Sequence, residues 1–174
     1  MQKVKYFFIL ISIFILSTAH YAIKEKINWI TFAELEKAYA GNPKPVLIDV
    51  YTNWCGWCKV MDKQTYANEK VAKYINENYY AVKFNAESTD SISFAGKTYG
   101  YDVANRANQL AIYLLYGRLE FPSTVFLSAP GAQPAPLSGF LKPAEIEAPL
   151  KFFGNGAYKT QTFPEFIKVL KKDW

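Results

Sequence analysis

Histidine and cysteine are scarce in this chain. Its 174 residues hold one histidine, His20, and two cysteines, Cys55 and Cys58. Structural zinc takes four ligands, usually Cys and His; carboxylates or a second chain would have to complete such a site, and nothing in the sequence positions them. Long apolar runs are missing too. The longest, Tyr6 to Leu16, is broken by Ser12 and falls short of the roughly 20 residues a spanning helix needs. No acidic residue precedes Glu25. There is no internal repeat and no basic, aromatic stripe of the kind that tracks a nucleic-acid backbone, so no nucleic-acid partner is expected. With 51% hydrophobic and 20% charged residues, no window is polar enough for long disorder, and the length suits one domain with a real core.

What is present begins with the N-terminus. A basic "MQKVK", the apolar run and the small residues "STA" form the three-part pattern of a secretory signal. Residues 1–19 are expected to be a signal peptide cleaved after Ala19. Recruiting "STAHYAI" would instead keep the segment as an uncleaved anchor. On either reading residues 20–174 form a domain in the periplasm or another extracytoplasmic space, touching membrane only through the N-terminal segment. Without Lys3 and Lys5 that domain has 18 basic and 15 acidic residues, an excess too small to indicate a partner.

The pattern along the chain alternates. "NWITFAELEKAYAGNPKP" predicts a helix with a Thr31/Glu34 capping box and an Ile30/Leu35 hydrophobic staple, ended by Gly41 and the prolines at 43 and 45. Val46 to Thr52 is apolar and β-branched, as in a strand buried on both faces. A helix follows the cysteines, with a break near Ala67 and Asn68, and Tyr79 to Glu87 is the next strand. "SISF–AGK–TYGY" predicts a hairpin. A helix is expected over Val103 to Gly117, capped by Asp102, then a strand over Phe121 to Ser128 and a short strand at "LSGF". Helices begin at Pro143, with Pro149 kinking or shortening the first, and at Pro164. Two strands joined by a helix pair in parallel. The fold class expected is α/β: a mixed central sheet flanked by helices.

The two cysteines lie in "DVYTNWCGWCKVMD", residues 49–62. A disulfide across two intervening residues closes almost no loop, so it is a poor staple. C-x-x-C after a strand, opening a helix within a βαβ unit, is instead a redox signature. At the helix N-terminus Cys55 gains free amide N–H groups and the helix dipole, which favour its thiolate. Cys55 is the expected nucleophile and Cys58, one turn further in, the resolving thiol. Gly56 allows a tight turn; Trp57 brings no charge.

The segment "VLIDVYTNWCGWCKVMD" resembles the active site of the thioredoxin superfamily, with its W-C-G-W-C-K core, and the resemblance extends over about residues 29–153. It implies a thioredoxin-like three-layer fold with a β-hairpin insertion and an extra C-terminal helix. It also implies that Asp49, six residues before the first cysteine, is the buried aspartate beneath the disulfide and a proton acceptor for Cys58; that Lys83 in "AVKFNAE" pairs with it; and that Pro122 in "EFPSTVFL" is a cis-proline beside which substrate adds as a strand. Trp54, Gly56, Trp57, Phe121 and Pro122 then form the substrate surface, while Tyr51 packs on the sheet. The hairpin insertion and the C-terminal tail are similar to secreted thioredoxin-like proteins of the Bacteroidetes type. The chain departs from thioredoxin in its Gly-Trp dipeptide, in the bulk of Phe121 and in the insertion from Ser88 to about Tyr101.

The resemblance implies an extracytoplasmic thiol–disulfide oxidoreductase that acts on disulfide-containing proteins without metal or cofactor. Strong oxidants of the superfamily carry a histidine between the cysteines; here Trp57 is neutral, and a buried Asp49 disfavours a second negative charge. Both favour the disulfide form, so a reductase or isomerase recharged by a membrane electron donor is expected. The alternatives are a dithiol oxidase of similar fold and a redox-inactive peptide-binding module.

Overall fold

The computed structural model describes residues 25–174; the signal and cleavage readings lie outside the described residues. The chain runs β1 (Trp29–Ile30), α1 (Phe32–Gly41), β2 (Val46–Tyr51), α2 (Gly56–Met61), a π-helical turn (Asp62–Tyr66), α3 (Glu69–Asn78) and β3 (Tyr80–Asn85). The insertion carries β4 (Ile92–Phe94), β5 (Lys97–Tyr99), β6 (Tyr101–Asp102) and β7 (Ala107–Asn108). Then come α4 (Gln109–Leu114), β8 (Ser123–Leu127), β9 (Ala135–Ser138), α5 (Pro143–Gly154), a 3₁₀ turn (Ala157–Lys159) and α6 (Phe163–Val169).

β2 lies at the centre because its side chains are apolar on both faces, and an apolar strand is stable only between two covering layers. The five-stranded sheet has the order β1-β3-β2-β8-β9. β2 pairs parallel with β3 and antiparallel with β8, and β9 runs antiparallel to β8. Side chains alternate along the strand. Val46, Ile48 and Val50 therefore pack with Phe32 and Leu35 of α1 and Leu110 and Leu114 of α4. Leu47 faces the other way, towards Met61, Ile75, Ile146 and Leu150 of α2, α3 and α5. Asp49 shares that second face. This is the expected mixed sheet between helical layers, a thioredoxin-like fold.

Local signals account for most helix ends. Glu34 N–H donates to Thr31 Oγ1 at 3.2 Å while Thr31 N–H donates to Glu34 Oε2 at 2.7 Å, the reciprocal box. Asn68 caps α3 through Lys70 and Val71.

Four expectations are corrected. Trp29 and Ile30, read as the flank of a helix, form an edge strand on β3. The long helix from Val103 shrinks to Gln109–Leu114, and Asn108 replaces Asp102 as its cap. Val103 is 80% exposed and anchors nothing; Asp102 instead accepts from Asn105 N–H at 2.8 Å, closing the loop between β6 and β7. The insertion hairpin turns on two residues, not three: Ala95 and Gly96 both have φ in the left-handed region, 52° and 75°, as a type I′ turn demands. Pro149 does not shorten α5, which continues to Gly154. Its fixed φ is helical, and fully buried Ile146 and Leu150 on either side hold the helix to the core.

The insertion is tied to the body in two places. Phe94 is fully buried against Phe32, with ring centroids 5.4 Å apart. Asn108, also fully buried, donates its side-chain amide to Ser88 O at 3.2 Å and Asp90 O at 3.0 Å while accepting from Leu110 N–H at 3.0 Å. Its own N–H reaches Ala86 O at 2.7 Å. It thereby fastens the loop at residues 86–90 to α4. Asn108→Ala would leave the buried Leu110 N–H without its acceptor and release the Ser88 and Asp90 carbonyls, at a cost of about 1–3 kcal/mol. Urea unfolding of the variant and parent measures this; a loss under about 0.5 kcal/mol would show that water replaces the side chain freely.

Candidate active site

The strand β2 ends at Tyr51, and the chain turns through Thr52 to Trp54 into α2. Cys55 N–H donates to Thr52 O at 3.2 Å, closing that turn. Cys55 occupies the N-cap, and its Sγ accepts from Cys58 N–H at 3.0 Å. A sulfur in that place has a backbone donor aimed at it, the arrangement that favours negative charge on a cysteine. Cys55 and Cys58 form a disulfide, and the residues are only 4% and 5% exposed. Gly56 follows without the tight turn expected of it. Its φ is not left-handed and a Cβ there would meet nothing within 4 Å, so its contribution is open space beside the sulfurs.

Asp49 is 2% exposed, and β2–β3 register sets it directly beside Lys83. The Lys83 ammonium lies 3.5 Å from Asp49 Oδ2. It also bonds the carboxylate of Asp62, in the π-helical turn, and sits over the rings of Trp29 at 5.6 Å and Tyr51 at 5.3 Å. One cation thus serves two carboxylates. Burial pushes the Asp49 carboxyl up to about 7; Lys83 pulls the other way, and Asp62 adds to the rise. Across β8, Thr124 is the cross-strand partner of Asp49, and its hydroxyl shares a 2.9 Å hydrogen bond with the buried Tyr66 phenol. Burial, and then the Asp49 charge, raise the Tyr66 phenol well above its ordinary value. A cleft of about 360 Å³ opens against Trp29, Asp62, Tyr66 and Lys83.

The second half of the site is aromatic. Trp54 and Trp57 are 67% and 62% exposed. Trp54 Nε1 donates to Glu87 at 2.9 Å, and its ring meets Phe121 edge to face at 6.0 Å. Trp57 stacks on Phe140 at 5.6 Å. The Phe121–Pro122 peptide bond is cis. Phe121 makes no backbone hydrogen bond among the described residues, whereas Pro122 O accepts from Gly139 N–H at 2.7 Å.

Of the residues named from the sequence, Asp49 and Lys83 meet across β2 and β3, Cys55 and Cys58 meet in the disulfide at the start of α2, and Trp54 and Phe121 meet edge to face. Three neighbours were not read from the sequence. Asp62 is four residues after Cys58, one helical turn, and that spacing was its available signal. Glu87 and Phe140 carry no local signal; the turn after β3 and the pairing of β9 with β8, just before Phe140, bring them in.

Two results follow from the Asp49 environment. A carboxyl raised from 3.8 to about 7 contributes stability that is fully present below about pH 4 and lost as pH rises through about 7. At roughly 1.4 kcal/mol for each pKa unit, the loss is on the order of 4 kcal/mol. Asp49→Asn should therefore be more stable than the parent at pH 8 by up to that amount, the margin shrinking towards pH 4; denaturant unfolding across this range checks it, and a margin constant with pH would contradict the raised carboxyl. Asp62→Asn removes a negative neighbour and frees Lys83 for Asp49, so the Asp49 titration midpoint should fall, whereas Lys83→Met should raise it. Carboxyl carbon NMR titrations read both directions.

Comparisons with known proteins place the chain. The thiol:disulfide interchange protein DsbD of Pectobacterium atrosepticum is 27% identical over 123 residues, 70% of this chain but 18% of that protein. The chain therefore spans less than a fifth of this relative. Among solved structures, a thioredoxin-fold protein from Helicobacter pylori superposes with a TM-score of 0.55 at 19% identity, covering 73% of this chain and 84% of the other. A structure described as DsbH oxidoreductase gives 0.51 at 18% identity, covering 78% and 87%. At these identities the likeness is one of fold. The family model described as Thioredox_DsbH, protein of unknown function DUF255, matches residues 12–134, well over half of the sequence, and the chain belongs to that family of thioredoxin-fold proteins.

Proposed function

We propose that this protein is a thiol–disulfide oxidoreductase that reduces or reshuffles disulfides in other proteins. The observation carrying this reading is the Cys55–Cys58 disulfide at the head of α2 with the buried Asp49–Lys83 pair on the neighbouring strands. In the reduced protein the Cys55 thiolate attacks one sulfur of a substrate disulfide. That bond breaks, the leaving thiolate takes up a proton, and a mixed disulfide joins Cys55 to the substrate. Cys58 then loses its proton to Asp49, whose carboxyl at about 7 can accept near neutral pH. The Cys58 thiolate attacks Cys55 Sγ, releasing the second substrate thiol and leaving the protein as its disulfide. Two electrons pass to the substrate, and an external dithiol donor must restore them. Lys83 and Asp62 adjust how readily Asp49 accepts the proton.

Trp54, Gly56, Trp57, Phe121 and Pro122 form the substrate surface. The unpaired backbone of Phe121 supports an extended substrate that adds as a strand. With neutral Trp57 between the cysteines and the Asp49 carboxylate nearby, a reducing or isomerising poise follows. The basic, apolar, small-residue pattern of residues 1–19 supports an extracytoplasmic location, by cleaved signal or retained anchor, and a membrane electron donor fits that location. The hairpin insertion and C-terminal helix support an affiliation with secreted Bacteroidetes-type proteins.

Insulin reduction with dithiothreitol tests the reading. The parent should accelerate turbidity, and Cys55→Ser should fall to the uncatalysed rate; equal rates would refute the enzyme. Cys58→Ala should hold substrates as mixed disulfides on Cys55, visible on non-reducing gels. The reduction potential should lie on the reducing side of about −200 mV; a value near about −120 mV, that of a strong oxidant, would reverse the direction of flow.

A further inference from the structure

Phe140 and Trp57 form the stack on one side of the cysteines, and the two rings differ in how they are held. Phe140 is partly buried against the cluster of Leu47, Met61 and Phe126. Trp57 lies outboard at 62% exposure, with one ring face on Phe140. Phe140 is thus rooted in the core and Trp57 rests on it, its other face towards solvent. The backbone fixes the root. Gly139 adopts φ +97°, which a residue with a Cβ adopts only under strain, and its N–H donates to Pro122 O at 2.7 Å. The Ser123 and Ser138 hydroxyls tie the same two strands at 3.1 Å. Trp54, the residue before Cys55, is held by Glu87 and Phe121.

Rings held by partners before substrate arrives lose less side-chain freedom on binding than free ones. Large exposed indoles are otherwise costly on a surface. Two of them, both pinned, adjoin Cys55 and Cys58 in sequence, whose residues are 4–5% exposed, and offer aromatic surface to an extended peptide whose sulfur approaches Cys55. We propose that Phe140 is a specificity-determining residue of the exchange reaction. By holding Trp57 as an outward ring plate beside Cys55, it makes the protein prefer disulfides whose cysteine has aromatic or large aliphatic neighbours. The inference rests on the exchange reading above.

The test uses the reduced protein with three disulfides: two extended peptides bearing a glutathionylated cysteine flanked by two phenylalanines or by two serines, and 2-hydroxyethyl disulfide. Second-order rate constants come from acid-quenched chromatography. In each case two electrons leave the Cys55–Cys58 dithiol, and two thiols are released. The parent should favour the phenylalanine peptide roughly tenfold, the scale of one aromatic contact. Phe140→Ala should reduce the preference to about twofold or less, slowing the phenylalanine peptide far more than 2-hydroxyethyl disulfide, and Phe140→Tyr, which keeps the stack, should restore it. Should Phe140→Ala fail to fold, Trp57→Ser removes the exposed plate itself and should give the same loss of preference. A parent without preference, an undiminished preference in Phe140→Ala or Trp57→Ser, or an equal slowing of all three disulfides would overturn the assignment. A parent inert towards all three would instead overturn the exchange reading, and this one with it.

Discussion

The buried carboxylate of Asp49 is the constraint around which this molecule is arranged. It lies on the central strand, facing the layer formed by α2, α3 and α5, where an unpaired charge would be costly. The sheet answers with Lys83 on the adjacent strand, in direct register, but Lys83 is shared with Asp62. Compensation is therefore partial, and the Asp49 carboxyl stays near neutrality. A fully compensated aspartate would stabilise the fold better and would be too weak a base to accept a thiol proton near pH 7. On the proposed exchange mechanism, the sharing of one cation by two carboxylates trades stability for a carboxylate able to take up a thiol proton.

The aromatic half of the site depends on a different part of the sheet. β8 and β9 deliver Phe121, Pro122 and Phe140 to the same end of the molecule as the start of α2. Gly139 fastens β9 to Pro122 through the backbone, so Phe140 and Phe121 are held by one short connection. The insertion reaches the same end from the opposite side. Asn108 ties down the loop that carries Glu87, and Glu87 holds Trp54. Trp57, which breaks the dipeptide pattern of thioredoxin, has a defined seat on Phe140 and keeps its ring exposed.

Much of this was readable from local chemistry. The Thr31/Glu34 box, the Asn68 cap, the parallel pairing of β2 and β3 and the placing of Cys55 and Cys58 at the start of α2 each rest on residues close together in sequence or on a short pattern. The misreadings have a common cause. Val103 to Gly117 has helical composition, yet its first third is held in a loop by Asp102 and by the pairing of β6 with β7. Pro149 should interrupt α5, yet burial on both sides outweighs the lost hydrogen bond. Trp29 and Ile30 became a strand only because the edge of β3 was open. In each case tertiary packing overruled a local preference.

The sequence by itself determined the chemical identity of the centre: a C-x-x-C pair at a helix start, with an aspartate six residues upstream on a buried strand. These relations lie within one strand–turn–helix segment, whose geometry follows from strand alternation and helix pitch. Tertiary structure alone decided which groups adjust that centre. Lys83 comes to Asp49 by strand pairing, Asp62 by competing for the same cation, Glu87 by the insertion loop and Phe140 by the pairing of β9 with β8. Such meetings are set by register and packing across separate elements, and no spacing along the chain encodes them.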